Sequence, residues 1–291
     1  MTNLGQGDPL WSRINTLPDY EVQRTNLLVL RERYLPLADA NFDTELYLNF
    51  GSCFWEMYLA CALLDRGLPL LPRSQRDTAG PDLCIQGDGN RIWIEATAPR
   101  AGKGTDAVPG IFEGNGWIPE SQIVLRYRSA VEEKHKRWLK YVDSGIVSVD
   151  EPFLVAVNGF QIPDGNNAFP DEVPYQVQSV IPLGAPSVTI DRETGEVLRQ
   201  GFETRWHIRK KSGVQVSIGV FLDDAYAGIS GLLFSAAHPL YLQQSGIAPL
   251  SHLHNPKAVG TKALPRGWVQ VGMEYWVEEN QLLRCPLQVG A

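Results

Sequence analysis

With 291 residues the chain can hold one large domain or two small ones, with ample material for a core. At 44% hydrophobic and 20% charged residues, its composition is ordinary for a soluble globular protein. A net charge of −7 gives no global attraction for nucleic acid and leaves any such binding to local patches. Cys53, Cys61, Cys84 and Cys285 show no CxxC spacing. They read as reduced thiols of a cytosolic protein rather than as a disulfide framework or zinc site. The N-terminus MTNLGQGDPLW lacks the basic start and apolar run of a signal peptide, so a cytoplasmic location is expected.

Residues 1–42 read as a helical preface. Ser12 to Leu17 is short and ambiguous, whereas Asp19 to Tyr34 has helical spacing of apolar residues and ends before Pro36. Asp43 suits the N-cap of one long helix, which stops at Asp65-Arg66-Gly67. The nineteen residues from Leu46 to Leu64 carry a single charge, Glu56. Asn49, Gly51, Ser52 and a mid-helix Glu are poor in lipid, so a helix buried on most sides is the better reading than a membrane span. A buried Glu56 must be paired, metal-bound or protonated. An interior arginine is one partner for it, a metal site another.

Leu68–Leu71 reads as a first strand closed by Pro72, with Arg73–Gly80 as a polar turn. Asp88-Gly89 then lies between two apolar segments, Leu83–Gln86 and Arg91–Ala96, which predicts a hairpin. Folding about that turn opposes Gln86 to Arg91, Cys84 to Trp93 and Asp82 to Glu95. The period of two puts Leu83, Ile85, Ile92, Ile94 and Ala96 on one face and Asp82 and Glu95 on the other. Directly opposed like charges destabilise a sheet, so two facing carboxylates beside an apolar layer call for a cation between them. A divalent metal with oxygen ligands is the natural candidate.

The stretch 98–110 is an irregular Gly/Pro-rich loop in which Arg100 and Lys103 can touch phosphates or simply face solvent; its GxG lacks P-loop spacing. Pro119-Glu120-Ser121 opens a helix running to about Tyr141. From Arg126 to Lys140 it carries six basic residues against two acidic ones. Arg126, Ala130 and Lys134 are four apart and share a face. That face is either solvated or a groove wall for a nucleic-acid backbone, with Gln122 a further polar candidate at the helix start. Pro152–Asn158 is an apolar run suited to a strand buried on both faces and parallel to a neighbour.

Pro81-Asp82, twelve intervening residues and Glu95-Ala96-Thr97 resemble the PD-(D/E)XK motif of the restriction-endonuclease-like nucleases. The order helix, strand, hairpin, helix, strand over residues 43–158 is similar to that superfamily's αβββαβ core. The resemblance implies an α/β fold with a mixed central sheet and a Mg²⁺-dependent (or Mn²⁺-dependent) endonuclease, a hydrolase of phosphodiester bonds in DNA or RNA. It implies that Asp82, Glu95 and the Ala96 carbonyl bind the metal, with Glu56 completing the shell or holding a second ion. Thr97 stands where the motif has lysine. Lys134, Arg126 or Lys103 is then needed to polarise the phosphate or orient the water. Nucleic acid, DNA ahead of RNA, is the implied partner, with a homodimer as a further expectation and no membrane. The alternatives are a catalytically lapsed nucleic-acid-binding or scaffold module of the same fold, and an unrelated α/β protein whose Asp82 and Glu95 are exposed hairpin charges. Glu56 decides the latter by pointing toward or away from the hairpin.

The second half is expected as a β-rich extension of the same sheet, giving a preface (1–42), a core (43–160) and an extension (161–291) within one domain. Asp164–Pro174 reads as a loop. Tyr175–Leu183, Ser187–Ile190, Glu196–Leu198, Val214–Leu222 and Ile229–Ala236 read as strands, and Val269–Val277 with Gln281–Arg284 as a terminal hairpin. Arg205, Arg209, Lys210 and Lys211 flank Trp206 and His207, a basic cluster suited to nucleic acid or to guarding a strand edge. His252 and His254 would point the same way on a strand, but no third ligand lies nearby in sequence and Pro256 follows, so a surface loop is expected.

Overall fold

The computed structural model describes residues 7–77, 79–87, 90–110, 118–166, 172–242, 250–270, 272–279 and 281–286. The Asp88-Gly89 turn of the predicted hairpin lies outside them. The chain opens with helices α1 (Pro9–Thr16), α2 (Glu21–Tyr34), α3 (Phe42–Leu48) and α4 (Phe50–Leu64). Asp8 caps α1, accepting from the Leu10 and Trp11 N–H groups. The single long helix expected from Asp43 is two helices. Asn49 leaves helical geometry (φ −130°, ψ 47°) and separates α3 from α4, while Asp43 pairs with Arg31 instead of capping. Helix α4 buries twelve of its 15 residues, the signature of an element enclosed on most sides. No helix among the described residues is long and apolar enough to cross a membrane.

The expected strand at 68–71 is only a single bridge, Leu70 to Ile85, because Pro69 and Pro72 bracket it and cannot donate to a ladder. Strands β1 (Leu83–Gln86) and β2 (Arg91–Thr97) pair antiparallel, with Cys84 opposite Trp93 and Gln86 opposite Arg91. Helix α5 (Glu120–Asp143) leads to β3 (Phe153–Val157), which runs parallel to β2. Tyr175–Gln178 is a short helix, α6, rather than the start of a strand; Pro174, in extended geometry, stands at its N-cap. Strands β4 (Leu183–Ile190) and β5 (Val197–Thr204) form a separate hairpin, as do β6 (His207–Arg209) and β7 (Gln215–Ser217). The apolar run at 214–222 is therefore not one strand. Its strand stops at Ser217, and from Gly219 the chain turns into a 3₁₀ segment, Val220–Leu222.

Strands β8 (Gly231–Phe234), β9 (Ser251–His254), β10 (Met273–Glu278) and β11 (Gln281–Pro286) complete the main sheet. Its order is β1-β2-β3-β8-β9-β10-β11, seven strands with mixed directions. The fold is α/β, a mixed central sheet with additional β-hairpins. His252 and His254 lie on β9, not in the surface loop expected from Pro256. Alternation along β3 divides the core. Leu154 and Ala156 join α1–α4 on one face, and Phe153, Val155 and Val157 join α5 on the other. Leu83, Ile85 and Ile94 face α4, whereas Cys84 and Trp93 face α5. The Trp55 indole N–H donates to the Ala156 carbonyl (3.0 Å) and ties α4 to the sheet. Cys53, Cys61 and Cys84 are buried free thiols; Cys285 is free and exposed.

Candidate functional site

A pocket of about 360 Å³ opens where the preface helices, the start of β1, the end of β2 and α5 meet. Glu56, Asp82, Ala96, Thr97, Lys134 and Arg137 line it. Each arrives by a local rule. Glu56 is one of three half-buried residues on an otherwise buried α4, with Ser52 and Leu64, and is turned toward the hairpin. Asp82 precedes β1 and is fixed at both ends. Its Oδ2 accepts from the Ala96 N–H (2.7 Å), and the buried Arg76 guanidinium donates to the carbonyls of Leu37, Pro81 and Asp82.

Glu95 is wholly buried on the α5 face of β2. Helical spacing brings three partners to it from one face of α5. Lys134 Nζ donates to Oε1 at 3.0 Å, Arg137 Nη1 donates to the same oxygen at 2.8 Å, and the Tyr141 hydroxyl donates to Oε2 at 3.2 Å. A buried carboxylate is tolerated when it is paired in this way.

Glu56 and Asp82 are handled differently. Glu56 accepts one hydrogen bond, from the Tyr34 hydroxyl at 3.2 Å, and neither carboxylate makes an ion pair among the described residues. Burial, then the neighbouring Asp82 charge, pushes the Glu56 carboxyl far above the usual carboxylate range. Burial, then the Glu95 charge, raises Asp82 as well, against the opposing pull of Lys134 and the Ala96 N–H. The arrangement can take up a proton or a cation, and Lys134 and Arg137 can meet an anionic group at the same wall.

Glu56, Asp82, Ala96 and Lys134 are thus brought to one pocket, with Glu95 behind its α5 wall. The other sequence candidates lie apart from it. Arg100 reaches toward Asp8 (3.8 Å), and the Arg126 guanidinium packs on Gly102 and donates to the Arg100 carbonyl. Lys103 is exposed in the same loop. Arg209 is exposed on β6, Lys210 follows it, and the Lys211 N–H donates to Asp106. None of Arg100, Lys103, Arg126, Arg209 and Lys210 lines the pocket.

Sequence reasoning missed Arg137 and Tyr141, although three- and seven-residue steps from Lys134 place them on its face of α5. It also missed Asp39, Asn41, Glu45 and Asn49, which carry the preface to the pocket rim. Their only signal was a cluster of small polar residues around a helix break.

A second cluster lies elsewhere in the sheet. The His254 Nε2 and Glu274 Oε1 atoms are 2.6 Å apart, and His252 Nδ1 is 4.0 Å from the same oxygen. Burial lowers His252 to about 4. For Glu274, burial works the other way, but the two imidazoles and the Gly267 N–H hold it down to about 2.

Comparison of the chain with protein-family models, with curated proteins and with solved structures finds no match in any of the three.

Proposed function

We propose that this protein is a metal-dependent phosphodiesterase acting on nucleic acid, akin to the PD-(D/E)XK nucleases that its sequence resembles, with the first of the three core strands reduced to the Leu70–Ile85 bridge. One observation carries the reading: two crowded carboxylates, Glu56 and Asp82, face one pocket without a bonded cation among the described residues, beside a wall bearing Lys134 and Arg137. Carboxylates pushed up by desolvation and by neighbouring carboxylate charge, Asp82 acting on Glu56 and Glu95 on Asp82, suit a hard dication, which removes both penalties at once. Mg²⁺ or Mn²⁺ held there lowers the pKa of its water and neutralises charge on a scissile phosphate.

Glu56 and Asp82 would hold the ion, with Ala96, which lines the same pocket, offering its carbonyl as a further ligand. Arg76 and the Ala96 N–H keep Asp82 in place. Glu95 is compensated by Lys134, Arg137 and Tyr141, so it orients the two cations toward the phosphate, and Lys134 takes over the part of the lysine that Thr97 replaces.

The deciding experiment combines cleavage of plasmid DNA and RNA in Mg²⁺ and Mn²⁺ with calorimetric Mn²⁺ titration. Asp82→Asn and Glu56→Gln should lose both cutting and Mn²⁺ binding while keeping the wild-type circular dichroism spectrum. Glu95→Gln should keep Mn²⁺ binding and lose at least about a hundredfold in rate, as removal of an electrostatic device does. Wild-type cleavage by Asp82→Asn refutes the assignment.

The pairing of Glu95 with two cations favours a second reading, a lapsed nuclease-like module that binds nucleic acid without cutting it. On that reading the wild-type protein takes up no Mn²⁺ at millimolar concentration.

A further inference from the structure

The His252–His254–Glu274 cluster is unrelated to the pocket. Strands β3 and β8 stand between β9 and β2 in the sheet. Strands β9 and β10 run parallel and register Glu274 directly against His252. The period of two then places His254 on the same face. One ligand-type atom from each of the three side chains lies within 4.8 Å of the others. His252 is 0% exposed and Glu274 3%, while His254 is partly open to solvent.

The surroundings build this group in. The His252 ring lies against Gly231 of β8, where a Cβ would sit 2.8 Å from Nε2. The Trp268 indole N–H donates to His252 Nδ1 at 3.3 Å, and the Gly267 N–H donates to Glu274 Oε1 at 3.0 Å. An Nδ1 that accepts this hydrogen bond has its single lone pair engaged by Trp268, so a metal ion bound at Nδ1 would take the place of that bond. The ring proton is then on Nε2, which is buried and has no hydrogen-bond partner among the described residues.

We propose that His252, His254 and Glu274 form a transition-metal site of the zinc class that fastens β9 to β10 and to the turn at Gly267-Trp268. Two neutral imidazoles and a carboxylate suit Zn²⁺, whereas Mg²⁺ prefers an all-oxygen shell. Bond lengths of about 2.0–2.2 Å in a tetrahedral shell set ligand atoms about 3.4 Å apart. Two of the three separations, 2.6 and 4.0 Å, bracket that spacing, and all three ligand atoms lie within 4.8 Å of one another. The Gly267 N–H keeps its place on the second lone pair of Oε1 and orients the ligand from outside. Water fills the fourth position, reached along the open side of His254.

The test uses the full chain without a histidine tag, stripped with chelator. Zn²⁺ affinity is read by competition with a chromophoric chelator, and coordination by the visible absorption of Co²⁺. The expected result is one Zn²⁺ per chain, an intense tetrahedral-type Co²⁺ spectrum and a higher melting temperature with Zn²⁺. Asp82→Asn should leave all three unchanged, whereas His254→Ala and Glu274→Gln should weaken Zn²⁺ by more than about a hundredfold. Retained affinity in both ligand variants, or loss of Zn²⁺ in Asp82→Asn, overturns the proposal. If the ligand variants fail to fold, the wild-type Co²⁺ titration decides alone, since an absent tetrahedral spectrum refutes the site. Zinc uptake and phosphodiester cleavage are separate readouts, so either assignment can fail without the other.

Discussion

Glu56 and Asp82 sit where their charged forms are penalised, and that penalty is measurable without any substrate. Burial and the facing carboxylate push Glu56 from an ordinary value of 4.5 up to about 8, and Asp82 is raised in the same direction. The folded chain therefore holds protons that the unfolded chain has lost, and its stability falls as pH rises from about 4.5 through about 8. A tenfold change in proton affinity is worth about 1.4 kcal/mol, but water in the pocket screens both groups, so a loss of about 1–3 kcal/mol is expected. Urea unfolding in chelator at pH 5 and pH 8 should show it. Glu56→Gln should flatten the profile and make the protein more stable than wild type at pH 8. A divalent ion at tenfold over its dissociation constant should return about 1.4 kcal/mol to the wild type at that pH. A flat wild-type profile would mean that both carboxylates are already compensated.

At the scale of the elements, α5 converts a one-dimensional spacing into a charged wall. Lys134, Arg137 and Tyr141 converge on Glu95 because they share one side of a 24-residue helix packed on β3. Lys134→Met keeps the stem and removes the charge. Arg137 stays on the same Glu95 oxygen, so the loss should be about 1–3 kcal/mol rather than the 3–5 kcal/mol typical of a broken buried pair. Chemical denaturation measures it, and Lys134→Arg should recover most of it.

The same scale shows which parts of the fold were legible. The hairpin register could be read because Asp88-Gly89 is a turn signal in the sequence, and counting outward from it opposes Gln86 to Arg91 and Cys84 to Trp93, as the strands pair. The α3–α4 break could not, because Asn49 lies in a sequence whose apolar content continues on either side. Tyr175–Gln178 and Val220–Leu222 were misread as strands because short apolar runs carry no period of their own. Of the side chains that line the pocket, Glu56, Asp82 and Lys134 were legible along the chain. Its rim was not, since Asp39, Glu45 and Asn49 reach it only through the packing of α3 against α4. Glu274 stayed hidden beside His252 because parallel pairing joins residues that are distant in sequence.

The whole molecule carries a net charge of −7, and its pocket repeats that balance locally. Asp39, Glu45, Glu56, Asp82 and Glu133 line it against Lys134 and Arg137. A phosphate backbone approaching this mouth meets repulsion before it meets either cation, so a dication must carry much of the attraction. Binding of a fluorescent oligonucleotide should therefore be weak in chelator and rise steeply in Ca²⁺, an oxygen-ligand dication used here to separate binding from cutting. With so few basic side chains at the mouth, the salt dependence should be shallow, a slope of about −2 to −3 on logarithmic axes, against about −0.9 per neutralised phosphate. The rim offers the converse manipulation. Asp39 pairs with Arg73, and Glu45 accepts from the Asn49 amide. Replacing them in the double variant Asp39→Asn, Glu45→Gln removes two negative charges and loosens the hold on the Arg73 guanidinium. Fluorescence anisotropy should then show several-fold tighter binding with little change in fold. Unchanged affinity in that variant would place the nucleic acid on another face, where the exposed Arg209 and Lys211 beside Trp206 would be the first side chains to replace.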